Sequence, residues 1–445
     1  MNRYPRYPQY KDSGVEWIGE VPAHWDVIAL KRLGTLKGGT GFPPDMQGRS
    51  GNELPFYKVG DLSRSPNGIT LGETEHSISR KEASILGATI FPANVLVWAK
   101  IGAALLLNRR RIVPTASCLD NNMTGFIPNP SKASTKFCFY LLSSIDFSIH
   151  AKPGAVPSFS EGDQGELHVT CPSIAEQSII ADFLDRETAR IDALIAKKTR
   201  FIELLKEKRA ALITHAVTKG LDPEVKMKDS GVKWIGEVPA HWSVVPIKYV
   251  ATVGNGSTPN KDKDRYWENG TFPWLTSGCV NHDEVWHAEQ YVTEAALREC
   301  HLPIITPPAV LVGITGQGKT RGMASTLKIE ATINQHIAYL KPMPKSVHVE
   351  FLRRFLDASY EWLRFDSEGV GSTKGAITCE QLSNTKISVP PRAEQEAILD
   401  WIRRRTERFN QLHLQTQRSI DLLQERRSAF ITAAVTGQID VRRSV

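Results

Sequence analysis

The chain has few of the features that mark secreted, metal-stabilised or membrane proteins. Its 445 residues include six cysteines and no Cys-x-x-Cys pair, so neither a disulfide framework nor a structural zinc site is expected. The N-terminal segment is polar and Pro-rich and lacks the apolar core of a secretory signal. The most apolar stretch, residues 85–107, is interrupted by Pro92, Asn94 and Lys100, whereas a membrane span needs about 20 consecutive apolar residues. We therefore expect a soluble, cytoplasmic protein.

A strong excess of charge of either sign is also missing. Lys plus Arg total 55 against 48 Asp plus Glu, which gives a net charge of +7. This mildly basic balance permits a nucleic-acid partner without requiring one. There is no Asn/Asp-Pro-Pro-Tyr motif and no paired FxGxG signature, which argues against a self-contained adenine methyltransferase. His282 and His287 have no further ligand at metal-binding spacing, so we predict no catalytic and no metal site.

Two segments of the sequence occur twice. Residues 11–27 (KDSGVEWIGEVPAHWDV) and 228–244 (KDSGVKWIGEVPAHWSV) are identical at 15 of 17 positions. Residues 175–222 and 393–440 are identical at 22 of 48 positions. The two bodies between these repeats have similar lengths but share little sequence. Because drift alone would not preserve the repeats while rewriting both bodies, we favour one frame that presents two different surfaces over a plain tandem duplication.

The phase of the repeat predicts where the chain ends lie. The joint over residues 218–228 has its second copy divided between the two ends of the chain, with one part in 436–445 and the other in 1–25. The sequence therefore resembles a circle cut at one joint. We predict that the N- and C-terminal segments lie close together in space.

Both longer repeats predict helices. Residues 175–218 contain neither Pro nor Gly, and their apolar residues recur at three- and four-residue spacing. A helix of about 44 residues is about 66 Å long, too long for an ordinary hairpin within one domain. A narrow apolar stripe on such a helix must be buried against another helix, and the second repeat offers the partner. We predict an antiparallel coiled-coil pair that acts as a spacer between the two bodies.

The two bodies, roughly residues 28–170 and 245–388, predict mixed α/β units. Short β-rich runs alternate with turns that contain Gly, Pro, Asn and Asp. Each body is large enough to bury a core of its own. We predict strands over residues 93–99, 309–315, 332–340 and 386–389, and short helices over 136–148 and 351–365.

Basic and polar residues cluster in the predicted loops of both bodies. Backbone amides of Gly-rich loops can approach phosphates while Lys and Arg displace counterions, and Arg, Asn or Gln can then bind base edges. In the first body we predict DNA contacts from Lys37, Thr40, Lys100, Arg109, Arg110 and Arg111, of which the arginine triplet is the strongest candidate. In the second body we predict them from Ser257, Thr258, Lys261, Lys263, Arg265, Lys319, Arg321 and Lys374.

One motif supports an alternative function. Residues 313–320 (GITGQGKT) match the P-loop pattern GxxxxGK[ST], which would make the chain a nucleotide-binding protein. That motif requires a helix that begins at its Lys-Thr pair, whereas Gly322 follows almost at once and residues 325–340 alternate like a strand. An adaptor whose long helices organise other proteins without contacting DNA is a further alternative.

The repeated joints and helices resemble the specificity subunit of type I restriction–modification systems. The resemblance is carried by KDSGVEWIGEVPAHW and its second copy, by AEQ at the start of each long helix, and by ITHAVTKGLDP and ITAAVTGQID at their ends. It extends over the whole chain and is weak only within the two bodies. It implies a non-catalytic phage-defence protein of the bacterial or archaeal cytoplasm, whose two target-recognition domains each bind half of an asymmetric, split DNA sequence.

The resemblance also implies partners. Two methyltransferase subunits would dock on the helices and joints, and two restriction/translocase subunits would add cleavage. S-adenosylmethionine, ATP and magnesium would bind to those partners, with no cofactor in this chain. We therefore expect an α+β fold with a pseudo-two-fold repeat. Its predicted parts are an N-terminal joint (1–24), a first target-recognition domain (25–172), a first long helix (173–218), a second joint (219–241), a second target-recognition domain (242–389), a second long helix (390–436) and a tail (437–445).

Overall fold

The structure, a computed structural model, describes residues 4–152, 154–316, 318–368 and 375–442. The chain divides into two compact units, one formed by Met1–Thr199 with Gln417–Val445 and the other by Arg200–Thr416. Both boundaries fall inside a long helix. Each unit therefore combines one of the divergent bodies with parts of both long repeats.

The first unit consists of short strands and short helices together with parts of the long ones. Its strands are β1 (Tyr10–Asp12), β2 (Glu20–Pro22), β3 (Asp26–Ala29), β4 (Gly34–Gly38), β5 (Leu54–Tyr57), β6 (Ser77–Ile78), β7 (Leu96–Ala99), β8 (Arg110–Ile112), β9 (Cys118–Leu119), β10 (Met123–Pro128) and β11 (His168–Cys171). Its helices are α1 (Arg80–Ile85), α2 (Ala103–Leu106), α3 (Thr135–Ser143), α4 (Phe147–His150), α5 (Glu161–Gly165) and the first part of α6 (Ile174–Lys219).

The second unit has the same kind of composition. Its strands are β12 (Met227–Asp229), β13 (Glu237–Pro239), β14 (Ser243–Pro246), β15 (Ala251–Asn255), β16 (Phe272–Leu275), β17 (Glu284–Val285), β18 (Gln290–Val292), β19 (Ala309–Gly313), β20 (Ala324–Leu327), β21 (Thr332–Ile333), β22 (Ile337–Pro342) and β23 (Lys386–Val389). Its helices are α7 (Glu294–Glu299), α8 (Val349–Ala358), α9 (Tyr360–Asp366), α10 (Cys379–Asn384) and the first part of α11 (Arg392–Val435).

The two bodies share one strand order although their sequences differ. The larger sheet runs β4-β10-β7-β8 in the first body and β15-β22-β19-β20-β17 in the second. The smaller sheet runs β6-β5-β9 and β18-β16-β21. In each smaller sheet the central strand pairs antiparallel with one neighbour and parallel with the other. The predicted α+β fold with an internal repeat is confirmed, and the second body adds one strand, β17.

The helices α6 and α11 pair in antiparallel fashion within each unit. In the first unit, the rings of Phe183 and Phe430 lie 6.4 Å apart, and Arg427 donates two hydrogen bonds to Asp192 at 2.9 and 3.2 Å. In the second unit, the C-terminal turns of α6 and the N-terminal turns of α11 contribute to one buried core. These contacts confirm the predicted antiparallel pair. Among the described residues, no helix is both long enough and apolar enough to cross a bilayer.

The repeated joints build the same hairpin in both units: Lys11 pairs with Val21 in the first, and Lys228 pairs with Val238 in the second. The last strand of each body is also bonded to the end of a long helix in the same way. In the first, the Thr170 hydroxyl on β11 donates to the carbonyl of Val435 at 2.6 Å. In the second, the Ser388 hydroxyl on β23 donates to the carbonyl of Val217 at 3.0 Å. These four residues occupy equivalent positions in the two copies of the repeat. A hydroxyl at equivalent positions therefore makes the same contact between a strand of the body and the end of a long helix.

The described parts of the two terminal segments contact each other within the first unit. The Tyr10 hydroxyl donates to the carbonyl of Gly437 at 2.9 Å, and the backbone N–H of Asp440 donates to the carbonyl of Pro5 at 2.7 Å. Gly437 has φ +75°, and a Cβ atom there would lie 2.3 Å from Pro22, so only glycine fits. The predicted proximity of the terminal segments is confirmed.

Candidate nucleic-acid interface

Three segments converge at one end of the larger sheet in the first body. They are the residues that follow β4, the residues that follow β7, and the turn that joins β9 to β10. The N–H of Thr40 donates to the carbonyl of Leu119 at 2.8 Å, and the N–H of Lys100 donates to the carbonyl of Asn122 at 2.9 Å. We call residues 37–40, 100 and 120–122 the first polar edge.

The second body repeats this arrangement with other side chains. The N–H of Ser257 donates to the carbonyl of Ile333 at 3.1 Å, and the N–H of Ile314 donates to the carbonyl of His336 at 2.9 Å. We call residues 254–258, 314–315 and 334–336 the second polar edge. The same strands and the same backbone hydrogen bonds therefore build both edges.

A buried Asp or Asn forms the turn at each polar edge. The carboxylate of Asp120 accepts from the N–H of Asn122 at 2.7 Å, and the side-chain oxygen of Asn334 accepts from the N–H of His336 at 3.0 Å. Such Asx turns are a common way for these two residue types to reverse the chain. Burial raises the pKa of Asp120, and hydrogen bonds from backbone N–H groups oppose that shift.

The predicted strand over residues 332–340 is wrong for this reason. The structure breaks it into β21 and β22, with residues 334–336 forming the turn between them. Alternating apolar residues made the run resemble one strand, but Asn334 uses its side chain to close the turn. The break is what brings two polar side chains to the surface.

The glycines of the predicted phosphate-binding loops serve the protein's own packing. A Cβ atom on Gly39 would lie 2.0 Å from the carbonyl oxygen of Asp120, and one on Gly256 would lie 1.7 Å from that of Ile333. These glycines are needed because two backbones approach each other closely, not to make room for a phosphate.

Sequence reasoning missed the exposed residues of the two turns. Asn121, Gln335 and His336 are all exposed. The Thr258 hydroxyl donates to the side-chain oxygen of Gln335, and the Thr315 hydroxyl lies 2.6 Å from Nδ1 of His336. Amide side chains of this kind can bind base edges. Their signal in the sequence was a polar triplet, Asp-Asn-Asn or Asn-Gln-His, inside an otherwise apolar run.

Three predicted cations lie at the first polar edge or beside it. Lys37 is exposed on β4. Lys100 forms an ion pair with Glu161 at 2.7 Å, and 16% of its side chain is exposed. The register of β7 with β8 places Arg110 opposite Trp98, so Arg109 enters the sheet at the same end. Thr40, which is partly exposed, contributes a hydroxyl there.

The prediction for Arg110 is corrected by its burial. Only 2% of the residue is exposed, and its guanidinium lies 3.8 Å from the centre of the Phe147 ring. It donates to the carbonyl oxygens of Ile145 at 2.7 Å and Asn108 at 2.6 Å. Burial also lowers the pKa of Arg110. Its function is to hold the helical segment around residue 147 against the sheet. Arg111 is half-buried and donates to the carbonyl of Arg110.

The predicted residues of the second body lie at several different places. Ser257 and Thr258 belong to the second polar edge, and Lys261, Lys263 and Arg265 are exposed on the segment that follows it. Arg265 forms an ion pair with Glu299. Lys319 is exposed in the loop after β19. Arg321 is a second correction, because it is 3% exposed and pairs with Glu368 at 3.1 Å. Lys374 lies outside the described residues.

The P-loop alternative lacks the required geometry. Among the described residues of 313–320, no helix begins at Lys319-Thr320, and the chain continues into β20, which pairs antiparallel with β19. The segment is a hairpin loop whose carbonyls accept hydrogen bonds from Tyr360 and Arg364 at 2.7 Å each. It presents no helix N-terminus to a phosphate. In the part of the chain that the structure describes, no cluster of His, Cys, Asp and Glu could hold a metal ion.

A family model for the type I restriction modification DNA specificity domain matches residues 22–204 and 239–421. The chain belongs to the type I restriction–modification specificity family. Each match covers one body and much of the long helix that follows it, so this specificity subunit carries two copies of the domain. Specificity subunits recognise DNA for the complex and are not catalytic, which agrees with the resemblance found in the sequence.

Specificity subunits from a bacterium and an archaeon are similar in sequence. The EcoR124I/EcoR124II specificity subunit of Escherichia coli is 23% identical over 278 residues, which cover 61% of this chain and 63% of that protein. The MjaIX specificity subunit of Methanocaldococcus jannaschii is 22% identical over 441 residues, which cover 95% of both proteins.

Two solved structures have the same fold. A chain from a study of the assembly and conformational transition of a type I restriction–modification system superposes with a TM-score of 0.68 at 16% identity, over 93% of this chain and 98% of that one. The HsdS subunit from Thermoanaerobacter tengcongensis gives a TM-score of 0.51 at 15% identity, over 94% of this chain and 98% of its own.

Proposed function

We propose that this specificity subunit recognises a bipartite, asymmetric DNA sequence, with one half-site bound by each body. The observation that carries the proposal is the pair of polar edges. The same Asx turn and the same backbone hydrogen bonds hold Asn121 and Asn122 in one body and Gln335 and His336 in the other. A common frame with unlike exposed side chains is suited to binding two different base sequences.

The cations near these edges supply affinity that does not depend on sequence. In the first body these are Lys37, Lys100 and Arg109, and in the second Lys261, Lys263 and Lys319. Contacts of Lys and Arg with phosphates position a protein on the duplex, while base contacts specify the sequence. The hydroxyls of Thr40 and Ser257 add neutral hydrogen-bond donors at the same edges, whereas the Thr258 hydroxyl donates to Gln335.

The proposal extends to the assembly. Two methyltransferase subunits dock on the long helices and the joints, and two restriction/translocase subunits complete the complex in the bacterial or archaeal cytoplasm. S-adenosylmethionine, ATP and magnesium bind to those partners. The near-identical joints support this stoichiometry, because two equivalent frames offer two equivalent surfaces.

Footprinting of the chain assembled with its methyltransferase subunits tests the proposal. We expect two protected half-sites separated by a gap in which base identity does not affect binding. A single continuous recognition sequence would contradict it. In a second experiment, residues 245–388 are exchanged for the corresponding body of another family member. This exchange should change one half-site and leave the other as it was, whereas an adaptor that does not contact DNA would show no change in either.

A further inference from the structure

The turns at residues 120–122 and 334–336 differ from the rest of each polar edge in one respect. Their first residue is buried and fixes the backbone: Asp120 is 7% and Asn334 is 6% exposed. The backbone N–H of Asp120 donates to the carbonyl of Tyr57 on β5 at 2.9 Å, and that of Asn334 donates to the carbonyl of Leu275 on β16 at 3.0 Å. These two bonds are equivalent. The second residue, Asn121 or Gln335, is exposed. Substitution at this second position therefore alters the surface without altering the frame.

The environment of Gln335 holds its amide in one orientation. Its side-chain oxygen accepts from the Thr258 hydroxyl, and its amide nitrogen lies 3.3 Å from Nε2 of His336. The ring of His336 is in turn held by the Thr315 hydroxyl at 2.6 Å. A carboxamide oxygen has two lone pairs and the amide nitrogen has two N–H groups. One lone pair of the oxygen and one N–H of the nitrogen thus remain available on the same carboxamide.

A side-by-side acceptor and donor match the major-groove edge of adenine, which offers a donor at N6 and an acceptor at N7. We propose that Asn121 and Gln335 each bind the edge of one adenine, so that each specifies one base pair of its half-site. The inference rests on the proposed function. It assigns base recognition to two residues that composition and charge did not single out, and it leaves the lysines to bind phosphates.

The test compares base preferences of the full chain in complex with its methyltransferase subunits. Duplexes randomised across both half-sites are selected by the wild type and by Gln335→Ala, Gln335→Glu and Asn121→Ala, and the bound sequences are counted. Gln290→Ala, which removes an exposed glutamine from β18 of the same body, is the matched control. Affinity for an unrelated duplex and thermal unfolding are measured for every variant.

We expect Gln335→Ala to lose roughly 10- to 100-fold of its preference for adenine at one position of one half-site. Gln335→Glu should shift that position toward cytosine, because a carboxylate accepts a hydrogen bond from cytosine N4. Asn121→Ala should act at one position of the other half-site. The control should keep wild-type base preferences, and for the control and the two alanine variants the affinity for an unrelated duplex and the unfolding temperature should stay at wild-type values.

Two results overturn the inference alone. One is a wild type with two half-sites and variants whose base preferences are unchanged at every position. The other is a variant that loses affinity equally for all sequences, because such a residue would contact the DNA backbone or support the fold. A wild type that selects no pair of half-sites would overturn the proposed function and the inference together.

Discussion

The helix that packs on the larger sheet has an aromatic pair in one body and two arginines at the equivalent positions in the other. Phe139 and Tyr140 of α3 are buried, with ring centres 5.3 Å apart. Their equivalents on α8 are Arg353 and Arg354. The Arg353 side chain is 2% exposed and lies 3.2 Å from Asp357 and 3.3 Å from Glu350. One topology therefore accepts either an aromatic pair or an ionic network, provided that each charge has its partners.

The comparison predicts that truncating the side chain to alanine destabilises each helix for a different physical reason. Arg353→Ala leaves the carboxylates of Asp357 and Glu350 without their buried partner and should destabilise the second unit by about 3–5 kcal/mol. Phe139→Ala leaves an empty apolar cavity and no unpaired charge, and it should lower the free energy of unfolding by a similar amount, about 3–5 kcal/mol. Urea unfolding of the two variants gives both values. A loss below 1 kcal/mol for Arg353→Ala would show that its ion pairs are not needed for stability.

The pH dependence separates these two variants. Burial raises the pKa of Asp357 to about 6, and the guanidinium of Arg353 opposes that shift. Removing Arg353 therefore raises the pKa further above its unfolded value of about 3.9. Stability from such a group is present below the unfolded pKa and lost as pH rises through the folded one. Arg353→Ala should be more stable at pH 5 than at pH 7.5 relative to wild type, and Phe139→Ala should not.

The described part of the N-terminal segment packs on only one of the two equivalent positions, Phe430 and Leu212, of the long helices. Phe430 is 6% exposed, and its ring lies 5.6 Å from that of Tyr4 near the start of the chain. The equivalent residue, Leu212, is only half-buried. Phe430→Ala should therefore cost about 3 kcal/mol, against about 1–2 kcal/mol for Leu212→Ala. Equal losses in urea unfolding would mean that Tyr4 adds nothing to the packing.

The smallest predicted difference concerns two equivalent glutamates in the joints. Glu176 accepts from the Tyr7 hydroxyl at 2.8 Å and contacts His24 at 3.1 Å, and its side chain is 6% exposed. Glu394 contacts His241 at 2.8 Å with a side chain that is 31% exposed. We expect Glu176→Gln to cost about 1.5–3 kcal/mol and Glu394→Gln about 1 kcal/mol or less. Thermal unfolding of both variants measures this difference, and the reverse order would contradict it.

Much of the fold could be predicted because its information is repeated or periodic. The copies of the joint and of the long helix predicted the internal symmetry and the antiparallel pairing. The phase of the repeat also predicted the contact between the terminal segments. These features depend on many residues at regular spacing, so single exceptions do not disturb them. Leu194, for example, belongs to the predicted apolar stripe but is 41% exposed.

The candidate site depends on single residues and was harder to predict. Arg110 and Arg321 looked like surface cations in the sequence, and only the packing of Phe147 and the pairing with Glu368 reveal that they are buried. Likewise, nothing in the order of apolar residues distinguishes Asn334 as a turn residue from a polar residue in a strand. Contacts distant in sequence decide such cases, and a local pattern does not contain them.

The bonds that join Pro5 and Tyr10 to Asp440 and Gly437 have a consequence for how this protein can be rearranged. Both joints have the same local structure, but only one of them is covalently continuous, because the chain begins and ends at the other. A break at residues 222–226 would therefore be equivalent to the present one. A circular permutant that opens at residues 222–226, with a short peptide linking the present ends, would have every strand and helix in place. The order of the two bodies along the chain can then be reversed without a change in the folded protein.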